Sequence, residues 1–224
     1  MSSKVKAVIL AGGQSRRMGR DKSLVLWEGV PLLRRVYDVA AAVVGDVTIM
    51  TPWGDRYREI LPADYHWLAD EQPGEGPLVA LQQVLRESNP ADVDWIWLLG
   101  CDLPCLNGAI LQGWVNHLEN HSFDQLVAVP RSQAGWEPLC GFYRPQVLPQ
   151  LHEFIAQGGR SFQNWLDRVP HVQISLAEAE AAMLYNCNSL EEGNREQGIG
   201  NGEQGTGNRE QGTGNREQGT GNRE

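Results

Sequence analysis

An α/β fold is predicted for this 224-residue chain, with an open, mostly parallel sheet covered by helices on both faces. Three observations carry it: short apolar runs recur at residues 5–10, 47–50 and 95–99, the first rich in β-branched residues; stretches with helical spacing separate them; and the first run breaks into a glycine-rich, basic loop.

The run Val5–Leu10 is too short for a helix and fits a buried parallel strand. Residues 24–27 read as a short strand. Pro31 opens a helix to about Val44, with Leu32, Leu33, Val36, Val39, Ala40 and Val43 on one face. A second parallel strand follows at residues 47–50, a short helix at 56–61 and a third strand at 65–69. Residues 78–86 form a helix, 95–99 a strongly apolar strand, 110–118 a helix and 126–129 a strand. In such sheets ligands bind beyond the carboxyl ends of the strands, which selects the loop from Ala11, then Thr51, Asp70 and Asp102.

Composition bounds the rest. Hydrophobic residues at 41% suffice for one substantial domain, residues 1–192. From Gly193 the chain repeats Gly-Asn-Arg-Glu-Gln-Gly-Thr with a period of seven, and only Ile199 in it is apolar, so 193–224 reads as a disordered tail and not as a coiled coil. Formal net charge is −9, of which the tail's four Arg and five Glu account for −1, so the domain is acidic and argues against nucleic-acid binding. Cys101, Cys105, Cys140 and Cys187 lack zinc-site pairing, His66, His117, His121, His152 and His171 do not complete one, and reduced thiols are expected. Neither a secretory leader nor a run of roughly 18 apolar residues is seen. A soluble cytoplasmic protein with no membrane partner is expected.

The loop after the first strand is where charge gathers. Gly12 and Gly13 let backbone N–H groups approach an anion, and Arg16, Arg17, Arg20 and Lys22 can neutralise it. A nucleotide phosphate is the expected ligand; a turn with a solvated basic rim is the alternative. The spacing matches neither G-x-x-x-x-G-K-[ST] nor G-x-G-x-x-G. Asp102 ends the strand at residues 95–99 and is read either as a hard oxygen ligand for Mg²⁺ held with phosphates or as a cap of the next helix. Asp70, before Gly74-Glu75-Gly76-Pro77-Leu78, is read as an acceptor for a guanine edge or ribose hydroxyl, or as an ordinary loop carboxylate.

Leu10-Ala11-Gly12-Gly13, Ser15, Arg17-Met18-Gly19 and Asp21-Lys22 resemble the signature L-A-G-G-x-S-x-R-M-G-x-D-K of nucleotidyltransferases related to molybdenum cofactor guanylyltransferase. Cys101-Asp102-Leu103-Pro104 is similar to that family's C-D-x-P segment, Pro138 to Tyr143 to its P-L-x-x-x-Y segment, and Asn186-Cys187-Asn188 to the start of N-x-N-T-P-x-[DE]. The resemblance spans roughly residues 4–192 and implies a Rossmann-like nucleotidyltransferase fold. It implies GTP bound by Leu10, Ala11, Gly12, Gly13, Lys22, Asp70, Gly76 and Asp102, with Mg²⁺ on Asp102. Lys22 and Arg17 would serve the phosphates, while Pro138, Tyr143, Arg160, Asn186 and Asn188 would line the acceptor site. The sequence departs from the family where Ser189-Leu190 replaces Thr-Pro, where the repeat replaces a closing helix, and after the second strand, where no asparagine appears among Met50, Thr51 and Pro52.

The reaction implied is transfer of GMP from GTP to the phosphate of molybdenum-molybdopterin, releasing pyrophosphate, with a molybdenum insertase or apo-molybdoenzymes as possible protein partners. The acceptor is already ionised, so positioning and charge neutralisation suffice, in keeping with a sequence that offers no Ser/His/Asp or Cys/His constellation. Rival readings are cytidylyl transfer to the same pterin, disfavoured by Gly12 where relatives of that type resemble L-A-A-G; sugar-1-phosphate nucleotidyl transfer on the same fold; and a noncatalytic nucleotide or pterin carrier.

Overall fold

The computed structural model describes residues 4–12, 21–118 and 125–187. The predicted Gly13, Ser15, Arg16, Arg17, Met18, Gly19, Arg20, His121 and Asn188, and the repeat from Gly193, lie outside these described residues.

An eight-stranded sheet forms the centre. Its path places β10 (His171–Ile174), β7 (Val127–Ser132), β9 (Cys140–Tyr143), β6 (Trp95–Gly100), β1 (Val5–Leu10), β4 (Val47–Thr51) and β5 (His66–Ala69) side by side, with β8 (Gly135–Trp136) attached to β7. Strands β5, β4, β1 and β6 pair in parallel, and β9 runs against both β6 and β7. A small hairpin of β2 (Leu26–Trp27) and β3 (Val30–Pro31) stands apart.

Six α-helices cover the two faces among the described residues: α1 (Leu32–Val44), α2 (Pro77–Glu87), α3 (Gly108–His117), α4 (Leu148–Ala156), α5 (Phe162–Leu166) and α6 (Glu178–Met183). Alternation along β1 sends Ala7 and Ile9 into one core with α1 and α3, and Val8 into the other with α2, α4 and α5. Every residue of β6 is buried, as a central strand with helices on both faces requires.

Two short elements differ from expectation. The strand read at 24–27 begins as a 3₁₀ turn, Lys22–Leu24, because the Asp21 carboxylate accepts from Ser23 N and tightens the chain; only Leu26–Trp27 is extended. The helix read at 56–61 is a 3₁₀ turn, Gly54–Tyr57, followed by turns, and Gly54 lies so close under Trp67 that a Cβ would run into its indole ring.

Candidate active site

Parallel register brings the carboxyl ends of four strands to one rim. Leu10 is paired with Met50 on one side and with Gly100 on the other, and Thr51 with Ala69. Backbone bonds continue past the strand ends: Ala11 N donates to Met50 O at 2.8 Å, and Asp70 N to Thr51 O at 3.2 Å. The chain leaves β1 toward β4 and β5 and later returns to β6 on the opposite side, so the rim lies at a change of winding direction, where open α/β sheets bind ligands.

Gly12 takes φ +133°, and a Cβ there would lie 2.6 Å from Pro52 Cδ, so only glycine lets the first loop leave β1 against the end of β4. Lys22, the first residue of the 3₁₀ turn, places its Nζ 2.6 Å from Asp102 Oδ2, with side chains 16% and 19% exposed. Gly100 leaves room for the carboxylate, since a Cβ would stand 2.6 Å from Asp102 Oδ1. Gly100 N donates to Leu139 O at 2.9 Å, drawing the turn that contains Pro138 to the exit of β6.

Asp70 closes the exit of β5 in an Asx turn, its Oδ1 accepting from Gln72 N at 3.0 Å. Buried Gln83 on α2 holds the same turn, donating to Ala69 O at 2.7 Å and accepting from Glu71 N at 3.0 Å. Gly76, at φ +96°, then turns the chain into α2 with Pro77 at its first position. From the other end of the chain, Glu180 on α6 accepts from Trp114 Nε1 of α3, and Cys187 N donates to Asp102 O at 3.0 Å. Asn186 is thereby brought next to the β6 exit.

Residues 7–171 match the MobA-like NTP transferase domain. The chain belongs to that family. It is a nucleotidyltransferase, 45% identical over 186 residues to a probable molybdenum cofactor guanylyltransferase from Nostoc sp., covering 83% of this chain and 87% of the relative. A counterpart from Synechococcus elongatus is also 45% identical, over 185 residues, covering 82% and 93%. Among solved structures, molybdopterin-guanine dinucleotide biosynthesis protein A from Archaeoglobus fulgidus aligns with TM-score 0.69 at 19% identity over 86% of this chain and 98% of that one. A Mycobacterium tuberculosis protein crystallised as a complex with manganese aligns with TM-score 0.56 at 16% identity over 78% and 89%. These structures share the fold.

Of the predicted MobA-like site residues, the structure gathers Leu10, Ala11, Gly12, Lys22, Asp70, Gly76, Asp102, Pro138 and Asn186 around the rim. Tyr143 differs. It is fully buried among Phe162 and Trp165, and its hydroxyl donates to Pro138 O at 2.8 Å, because both faces of β9 are packed and its side chain enters the core with α5. Tyr143 braces the Pro138 turn. Arg160 is exposed; it pairs with Glu75 at 3.4 Å and donates to the carbonyls of Ile155 and Gly159.

Among the described residues no group of three or more His, Cys, Asp or Glu could form a protein cage for a divalent cation. A single carboxylate beside a bare glycine Cα fits a hard cation that takes its remaining oxygens from phosphates and water.

Sequence reasoning gave no role to Asp21, Tyr57 and Ser23. Asp21, only 4% exposed in its side chain, accepts from Ser23 N at 3.0 Å and Tyr57 OH at 2.9 Å and pairs with Arg56 Nε at 3.2 Å. Burial pushes the Tyr57 phenol well up from its usual value, so it remains a donor to Asp21. The signal was present in the motif, where Asp21 precedes Lys22, but its partners come from a turn more than thirty residues away.

Proposed function

We propose that this chain transfers GMP from GTP to the terminal phosphate of molybdenum-molybdopterin, forming the guanine dinucleotide and pyrophosphate. The observation that carries this reading is the meeting of Lys22 and Asp102 on the ligand-binding rim of a MobA-like sheet; the names of the Nostoc and Synechococcus relatives support the substrates.

Gly12, and Gly13 beside it in sequence, let the phosphates approach the backbone. Lys22 leaves Asp102 for the α-phosphate and the departing pyrophosphate, serving as a compact positive charge. Asp102 holds Mg²⁺, which supplies neutralisation of the phosphate oxygens when bound. Asp70, with one oxygen fixed by Gln72 N, directs the other at the nucleoside. The turn carrying Pro138 and the segment at Asn186 border the acceptor side, to which Arg160 and Asn188 are also assigned by the family resemblance, while Arg17 is assigned to the nucleotide phosphates. No enzyme nucleophile is needed, since the attacking phosphate is already ionised and in-line positioning supplies the rate. A molybdenum insertase or an apo-molybdoenzyme would deliver the acceptor or take the product.

Pyrophosphate release with Mg²⁺ and molybdenum-molybdopterin, compared among GTP, CTP, ATP and UTP, tests this reading. Release confined to GTP is expected. Preference for CTP would move the assignment to cytidylyl transfer, and nucleotide binding without release would favour a carrier.

A further inference from the structure

We infer that Asp21 is a positioning residue for the transfer, setting the origin and direction of the Lys22 side chain over Asp102; this rests on reading Lys22 as the phosphate cation. A three-residue 3₁₀ turn has little stability of its own, yet Lys22–Leu24 is pinned on two sides. On one side the buried Asp21 carboxylate caps the turn at Ser23 N and takes two further donors, Tyr57 OH and Arg56 Nε, both from the Gly54–Tyr57 turn that leaves β4. On the other side Ser23, fully buried, points its hydroxyl at Cys101 Sγ at 3.5 Å, next to Asp102 itself.

Lys22 thus springs from a backbone held between the exits of β4 and β6. Its side chain is a flexible four-carbon stem, so the direction of its charge is fixed by where the stem starts. The Asp21 carboxylate faces Arg56, Tyr57 and its own turn, while the Lys22 ammonium faces Asp102. Arg56 also lies 4.7 Å over the Trp53 ring, which fixes the guanidinium that Asp21 uses. Displacement of a reacting group by about 1 Å can cost about 100-fold in rate, and loss of this anchor removes what prevents it.

A double-mutant cycle tests the inference. Asp21→Ala is expected to lower kcat about 10- to 100-fold with Lys22 present and to change it by less than about twofold when Lys22 is already Ala. Equal losses in the two backgrounds would overturn the inference, since a purely structural carboxylate acts whether or not Lys22 is there. Tyr57→Phe, which removes one donor and leaves the carboxylate, is expected to show the same dependence with a smaller loss. If circular dichroism shows Asp21→Ala unfolded, Tyr57→Phe and Asp21→Asn complete the cycle. Should wild type release no pyrophosphate with any nucleotide, the proposed reaction has failed. Mg²⁺–GTP affinity of the same four proteins then decides the positioning role alone: a drop confined to the Lys22 background supports it, and parallel drops refute it.

Discussion

Lys22 and Asp102, 80 residues apart in the chain, meet at 2.6 Å on the rim of the sheet. Each is the other's counter-ion while the site holds no nucleotide, and each has a second partner in the proposed reaction, phosphate for the lysine and cation for the carboxylate. Substrate entry is therefore an exchange of partners within a preformed site.

That exchange makes Lys22→Met informative in two directions. Without the ammonium, Asp102 gains affinity for a divalent cation, so Mn²⁺ binding in the absence of nucleotide should tighten by about 3- to 10-fold. Turnover should fall by about 100-fold or more, because charge neutralisation in the transition state is lost. Electron paramagnetic resonance titration with Mn²⁺ checks the first outcome; unchanged affinity would mean that the ion pair does not form in solution.

Gly100→Ala should damage the site through a single methyl group. The new Cβ would stand 2.6 Å from Asp102 Oδ1 and 3.4 Å from Leu139 Cβ, so the carboxylate must rotate away. Turnover is expected to fall at least about tenfold. Gly113→Ala on α3, where nothing lies within 4 Å of the new atom, should leave turnover unchanged and stabilise the helix by about 0.5–1 kcal/mol. Paired steady-state assays and thermal melts separate the two.

The cysteines give a chemical readout of packing and a pH dependence. Burial pushes the Cys101 and Cys140 thiols up from 9.0 to about 12, Cys187 is fully buried, and Cys105 is exposed. Iodoacetamide at pH 8 should modify Cys105 and spare the other three until the chain is unfolded, as mass spectrometry would show. Above pH 9 the folded state retains thiol protons that the unfolded chain gives up, so stability present below that pH falls as pH rises toward 12. Melting temperature should decline between pH 8.5 and 10.5, as a pH series of melts would record, and Cys140→Ala should flatten part of that decline.

The repeat from Gly193 carries Ile199 as its one apolar residue, too little for a core of its own. A chain ending at Glu192 should keep kcat/KM within about twofold of the full-length value, the tolerance expected of a terminal segment of this composition. A large loss in a side-by-side assay would assign the tail a role.

Much of the parallel half of the sheet was legible because β4 and β6 are continuously buried runs, β1 is buried through its middle, and the ends of β1 and β6 carry the loop glycines and Asp102. Position after a strand was enough to select Asp70 and Asp102, since parallel register puts all such positions on one rim. The complete burial of Tyr143 was not legible, because β9 is packed on both faces, Cys140 and Phe142 into one core and Tyr143 into the other, and its neighbours Phe162 and Trp165 lie about twenty residues further along the chain. Asp21 escaped for a related reason: its meaning lies in Tyr57 and Arg56, which only the crossover from β1 to β4 brings beside it.

Asp102→Ala tests the central claim most directly. The substitution shortens a partly exposed side chain at the end of β6 and leaves the backbone bond from Cys187 N in place, so the fold should survive, as circular dichroism and melting would confirm. Pyrophosphate release from GTP in the presence of Mg²⁺ and molybdenum-molybdopterin should fall by about 1,000-fold or more, the scale on which preorganised charge stabilisation acts. A folded Asp102→Ala protein with turnover within about tenfold of wild type, about 1.4 kcal/mol in barrier, would contradict the account.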